Sequence, residues 1–229
     1  MLTAILGGGD WREILLKLAV KVFIVFCILP IHEFAHAFIA YKLGDHTARL
    51  SGRLTLNPLA HIDPIGGLMI LLVGFGYAKA VPVNMRNFKN PKGGMALVAV
   101  AGPLSNLLMA TVFTFFSVLV VRFAYSSLDS GIANALFTFT SYAAIINVNL
   151  AVFNLLPIPP LDGSRIMNAI LPDRIYFKIM QYERYIMIGL FLLMILPMTD
   201  FIWSGLGYVS YAIFEGIFNL IALPFGIRI

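Results

Sequence analysis

Cysteine is almost missing from this chain: Cys27 is the single one and sits in an apolar run, so neither a disulfide framework nor a cysteine-based metal cluster is available. Charge is scarce as well. Asp, Glu, Lys and Arg make up 12% of 229 residues, too few to cover a soluble surface, whereas 60% are hydrophobic and the mean hydropathy is +0.89. No basic tract interleaved with aromatics occurs, which argues against nucleic acid as a partner. The formal net charge of +5 is instead spread between apolar runs, as in loops that face an anionic membrane surface. A cleavable leader is not evident, since the first eleven residues are nearly uncharged and the apolar run behind them is too long for a signal peptide. No repeat, low-complexity tract or linker divides the chain, so 1–229 reads as one domain whose partner is the lipid bilayer.

What is present is a series of spans. A helix crosses the hydrocarbon core with about 20 apolar residues, and residues 14–43, 94–121, 132–156 and 201–225 meet that requirement. A fifth stretch, 175–197, is apolar mainly in its second half. A sixth, 65–77, is short and carries Gly66, Gly67, Gly74 and Gly76, which leaves it open as re-entrant or spanning. The expected class is therefore an all-α polytopic membrane protein with five to six transmembrane helices. Residues 51–57 and 79–84 carry β-favouring residues bounded by Asn57-Pro58 and Pro82, and predict a small membrane-associated β hairpin or sheet. If 65–77 does not cross, residues 42–92 lie on one side with Lys42, Arg49, Arg53, Lys79, Arg86, Lys89 and Lys92 against Asp45 and Asp63. By the positive-inside rule that side is cytoplasmic.

The chemistry begins inside the first span, at His32-Glu33-Phe34-Ala35-His36. Residues four apart share a helix face, so both imidazoles reach one cation, and Glu33 stands beside them. Zinc held by two His and a carboxylate polarises water and a scissile carbonyl, and a neighbouring Glu accepts the proton. An H-E-x-x-H match can also be an ordinary polar helix face. Three ionisable groups in five residues of an apolar span are costly, however, and a metal compensates them. Asp162 follows a proline-broken helix end and arrives at the same membrane face, where it either completes a His-His-Asp site or serves as a plain turn aspartate.

These residues carry a resemblance. His32 to His36, Ala101-Gly-Pro-Leu-Ser-Asn106 and Asn154-Leu-Leu-Pro-Ile-Pro-Pro-Leu-Asp162-Gly163 resemble the signature set of the site-2 proteases, the M50 intramembrane metalloproteases. Gly52 to Pro58, His61 to Gly66 and Gly76 to Asn84 are similar to the short members without PDZ or CBS domains, and Ala80 departs from the proline often found there. The resemblance implies a three-helix catalytic core within 14–170, with additional C-terminal helices over 175–225. It implies one Zn2+ per chain on His32, His36 and Asp162, with Glu33 as catalytic base and Asn154 and Asn106 as substrate-binding candidates. The expected activity is hydrolysis of peptide bonds in transmembrane protein substrates, in a multi-pass protein of a prokaryotic cell membrane with its active site toward the cytoplasm. The substrate is expected to bind by strand addition to 53–57 and 79–84. A metal-ion transporter and a catalytically inactive scaffold are the competing readings. His46 and His61 read as loop or interfacial histidines, and Glu215, inside the last span, as an ion-path residue or one paired within the bundle.

Overall fold

The computed structural model describes residues 11–72, 76–195 and 200–227. The chain opens with one long helical path made of α1 (Trp11–Phe23), a π segment (Ile24–Ile28) and α2 (Leu29–Lys42). Pro30 explains the π segment. Its ring has no N–H to offer and clashes with the carbonyl four residues back, and the path relaxes by widening over the preceding turn. Three short helices follow: α3 (Thr47–Leu50), α4 (Pro58–His61) and α5 (Pro64–Leu72). Asn57 caps α4 by accepting from the Leu59 amide at 3.1 Å. Asp63 opens α5 in the same way, accepting from the Ile65 and Gly66 amides at 3.0 and 2.9 Å.

With nine residues, α5 extends about 14 Å and cannot cross a bilayer. The chain behind it returns to where it began. A Cβ on Gly66 would run into the carbonyl of Tyr77 and one on Gly76 into that of Gly66, while the Lys79 amide donates to the His61 carbonyl at 2.8 Å. Residues 65–77 thus start and finish at the same place, the re-entrant alternative. The glycines are needed because two backbones touch there.

The remaining helices are α6 (Pro91–Leu119), extended by a second π segment (Val120–Ala124) and α7 (Tyr125–Ser127), then α8 (Ser130–Asn154), α9 (Asp162–Ile166), α10 (Asp173–Met180), α11 (Glu183–Ile195) and α12 (Asp200–Ala222). Four helical stretches among the described residues are long and apolar enough to span: Ile14–Lys42, Pro91–Ser127, Ser130–Asn154 and Ser204–Phe225. Five to six spans are expected from sequence; among the described residues four are found, α5 turns back, and the end of the expected fifth stretch, 175–197, lies outside the described residues beyond α11.

Val20, Ile24 and Ile28 pack on Phe113 of α6 and on Ala143 and Ala144 of α8, with Phe23 edge-on to Phe113 at 5.5 Å between centroids. Alanines at the contacts let helices approach where lipid supplies no hydrophobic drive between them, and Leu104, Leu108 and Phe116 of α6 point outward, as lipid-facing residues do. Phe218 and Ala222 of α12 pack on Val118, late in α6. The two helices therefore run in the same direction, and α12 ends opposite the turn that follows α8.

The β hairpin is corrected: no strand occurs among the described residues. The region 51–57 turns back on itself, with the Gly52 amide bonded to Arg49 and the Arg53 amide to Ala48. Residues 76–84 form neither helix nor strand and, apart from the Lys79 bond to His61, are held by side chains. The Arg53 guanidinium donates to the carbonyls of Lys79 and Ala80, and Asp45 accepts from the Asn84 amide at 2.7 Å. This stretch forms a strap across the end of α2.

Candidate metal centre

His32 and His36 lie one turn apart on α2, both buried. Each is steadied by α6. The Nδ1–H of His36 donates to the Val98 carbonyl at 2.7 Å, and His32 Nδ1 is 3.1 Å from the Asn106 amide. The atom that faces it is Asn106 Nδ2; with His32 Nε2 turned to a metal, Nδ1 would carry the proton, and a half-turn of the Asn106 amide would bring its otherwise unpartnered carbonyl oxygen there to accept it. Gly102 of α6 lies directly against the two rings. A Cβ there would collide with His36 Nε2 and His32 Cε1.

Asp162 enters from the first turn of α9. A Cβ at Gly163 would strike the carbonyls of Leu155 and Leu156, so only glycine lets α9 start this close beneath the end of α8. Asp162 Oδ2 is 3.2 Å from His32 Nε2 and 3.3 Å from His36 Nε2, and the two Nε2 atoms are 3.0 Å apart. Ligand atoms about 2.0–2.1 Å from a tetrahedral zinc lie about 3.4 Å from one another, close to this triangle. Oδ2 is buried and makes no hydrogen bond, as suits an atom whose partner is a cation. Burial pushes the Asp162 carboxyl up, yet the two imidazoles outweigh it and hold it below the usual range. No other group of three potential ligands occurs among the described residues.

Glu33 is buried beside the triangle, and its Oε2 accepts from the Val81 amide in the strap at 3.0 Å. A cavity of about 690 Å³ reaches the centre and is lined by Glu33, the strap residues Ala78, Ala80 and Val81, and Asn154 at the end of α8. Asn154 donates its amide N–H to the Leu150 carbonyl at 2.9 Å. Asn106 is buried behind His32 and is not among the residues lining the cavity. His46 meets Tyr41 edge-on, with ring centroids 5.0 Å apart, and His61 faces the Thr55 carbonyl at 2.7 Å. Neither joins the centre.

Sequence reasoning passed over Arg53 and Asp45, the two side chains that fasten the strap. Arg53 is buried and bridges successive carbonyls, which brings the Val81 N–H to Glu33. The signal was a pair of charged residues in short polar turns, indistinguishable in sequence from solvated ones. Replacing Arg53 with Ala is expected to lower kcat by about 10- to 100-fold with zinc content unchanged, the size of effect that loss of positioning has. Arg53→Lys recovers part of it, since one ammonium cannot fork to two carbonyls as a guanidinium does. Steady-state kinetics with metal analysis checks this, and an unchanged kcat in Arg53→Ala would refute it.

Asp45 accepts from the Thr47 hydroxyl and amide, the Asn84 amide and the Asn87 side chain. Burial raises its carboxyl, but these bonds win and hold it below the ordinary carboxylate value. A group whose folded pKa is depressed stabilises fully above its unfolded value, about 3.9, and loses that contribution as pH falls through the folded value. Asp45→Asn is therefore expected to cost about 1–3 kcal/mol at pH 7. The gap to wild type should narrow below about pH 4, as thermal unfolding in detergent across that range would read.

Comparison with known proteins agrees with this geometry. The chain is 44% identical over 172 residues to the "Putative zinc metalloprotease YwhC" of Bacillus subtilis, covering 75% of this chain and 78% of that protein. It belongs to peptidase family M50. The family's own model, Peptidase family M50, matches residues 120–196, a stretch that includes α8 and Asp162. Further relatives are the "Putative zinc metalloprotease Rip2" of Mycolicibacterium smegmatis, 34% identical over 140 residues (59% of this chain, 51% of that one), and "Zinc metalloprotease MJ0392" of Methanocaldococcus jannaschii, 28% identical over 156 residues (68% and 35%). No solved structure matches. The M50 chain is thus a zinc-dependent metalloprotease family member and an integral membrane protein.

Proposed function

We propose that this M50 chain is an intramembrane endopeptidase that hydrolyses peptide bonds in membrane-spanning proteins, with zinc on His32, His36 and Asp162 and with Glu33 as base. The observation that carries the reading is the ligand triangle, set beside a buried carboxylate at the head of a cavity walled by spanning helices. When bound, zinc supplies Lewis-acid chemistry, lowering the pKa of water toward about 7 and polarising a carbonyl. The chain's own residues do the rest. The Val81 N–H engages Oε2 of Glu33 and leaves Oε1 to take the proton of the attacking water and pass it to the leaving amine. Val98 and Asn106 fix the imidazoles, which gives Asn106 a holding role in place of substrate contact. Asn154, on the cavity wall, can turn its amide from Leu150 toward a developing oxyanion.

A helix cannot be cut while its backbone is paired. The strap, which lines the cavity at Ala80, Val81 and Val83, is the surface against which an unwound substrate segment lies. The end of the bundle that holds the site also holds Lys42, Arg49, Arg53, Lys79, Arg86, Lys89 and Lys92, and the positive-inside rule turns that end toward the cytoplasm of a prokaryotic cell. Transport would need ionisable residues along a route through the spans. Glu215 instead is exposed on α12 and does not line the cavity.

Reconstitution in liposomes with a panel of membrane-spanning substrates tests this reading. Cleavage within the spans is expected, to be abolished by dipicolinate and restored by zinc. Zinc-loaded protein that cuts soluble peptides but none of the spanning ones would overturn the intramembrane assignment.

A further inference from the structure

The cavity that reaches the metal centre has a second end. Lys21 of α1 also lines it, eleven residues before His32 on the same helical path and so roughly 16 Å away along that path. Lys21 lies inside the span Ile14–Lys42. Its neighbour Val20 is fully buried in one cluster with Ala143 of α8, and Tyr142, beside Ala143, packs on that cluster and lines the cavity too. Lys21 and Tyr142 thus flank one helix contact, on adjoining walls. Neither side chain makes a hydrogen bond or ion pair among the described residues. The other charged residues of the wall gather at the metal end, where Glu33 is engaged by Val81, Asp162 by the two imidazoles, and Arg165 follows Asp162 by one turn of α9.

A lysine amine inside a span has to face a wet cavity or meet an anion, because hydrocarbon offers it neither. The wall supplies no anion near Lys21. We propose that Lys21, with the Tyr142 hydroxyl as a second donor, selects the substrate by binding a carboxylate on the spanning segment that enters the cavity. This inference rests on the peptidase reading and names its substrate class: segments that carry an Asp or Glu between the cleaved bond and the membrane face opposite the site. An ammonium and a phenol each donate, and a carboxylate accepts from both. The distance sets the position of the acid, since roughly 16 Å corresponds to about five residues of extended chain or about eleven of helix. Lipid phosphates share the chemistry, but they stay at the headgroup level, whereas a substrate must pass Lys21 to lie along the cavity. A metal ion in transit would be repelled by the same amine, so Lys21 does not mark an ion path.

Binding and cleavage, read separately in liposomes, test this. A spanning segment with one Glu, moved residue by residue away from the cleaved bond, is compared with the same segment carrying Gln. The Glu33→Gln protein is expected to bind the best Glu segment about 10- to 100-fold more tightly than its Gln counterpart, the range of a hydrogen bond to a charged group, with the optimum about five to eleven residues out. In the wild type the preference should appear in KM and not in kcat, because Lys21 is remote from the reacting atoms. Lys21→Arg should keep the preference, Lys21→Met abolish it, and Lys21→Glu transfer it to a segment with Lys at that position; zinc content per chain checks the fold of each variant. Equal binding of Glu and Gln segments, or a preference that survives Lys21→Met because the amine serves lipid headgroups, would overturn the proposal and leave the peptidase reading standing. Cleavage of no spanning segment would overturn that reading, and the binding comparison would still decide the role of Lys21.

Discussion

Glu33→Gln is expected to lower peptide-bond hydrolysis by about 10²- to 10⁴-fold while the protein keeps its zinc and its fold. The substitution preserves shape. Gln presents a carbonyl oxygen where Glu33 presents Oε2, so the Val81 amide still has an acceptor and the strap stays in place. What is lost is the proton acceptor, and each tenfold of rate corresponds to about 1.4 kcal/mol of transition-state stabilisation. Glu33→Asp makes the complementary test. The carboxylate survives, but it is one methylene too short to meet both Val81 and the reacting water, and a loss of similar order is expected although the base is chemically intact. Metal analysis beside turnover on a membrane-spanning substrate reads both variants. If Glu33→Gln kept wild-type turnover, the base would have to be sought elsewhere, and Arg53→Ala would lose its predicted effect, because Arg53 acts through the strap.

Those two residues mark where the sequence was legible and where it was not. The halves of the centre could be read separately, since a four-residue spacing fixes the relation of His32 to His36 on a helix, and a Pro-rich break before Asp162 stops α8 at the right end of the bundle. Periodicity and length located the four long spans for the same reason: lipid demands about 20 apolar residues whatever the fold. Where contacts came from single side chains, pattern failed. Residues 79–84 have strand-like composition, but no strand forms, and their backbone bonds run to His61, Arg53, Glu33 and Asp45. No alternation of residue types encodes that. The short glycine-rich stretch at 65–77 was ambiguous for a related reason, because a returning chain is specified by the contact of Gly66 with Tyr77 and not by local preference. Asn106 was legible as a polar residue in an apolar helix, yet only the packing of α6 on α2 decides that it faces a ring nitrogen.

Gly102→Ala separates local preference from the demands of the site more sharply than any other change. In the middle of α6 alanine is the better helix former by about 1 kcal/mol, so by propensity the substitution stabilises. At this position the added methyl enters the space held by the imidazole edges of His32 and His36. Neither ring can withdraw easily. His36 is anchored to Val98 and His32 to Asn106, both on the same helix as the new methyl, so moving the rings breaks those bonds as well. Zinc affinity is expected to fall by at least about 100-fold, the upper range seen when the groups supporting a metal ligand are lost, and hydrolysis should vanish at limiting zinc. The metal-free protein should lose stability as well, by the broken imidazole bonds less the gain in helix propensity, but far less than zinc binding loses. Competition against a zinc chelator of known affinity, run beside thermal unfolding of the metal-free forms, distinguishes a displaced ligand set from a damaged bundle. Undiminished zinc binding in Gly102→Ala would mean that α6 does not press on the rings as described, and the roles given to Val98 and Asn106 would fall with it.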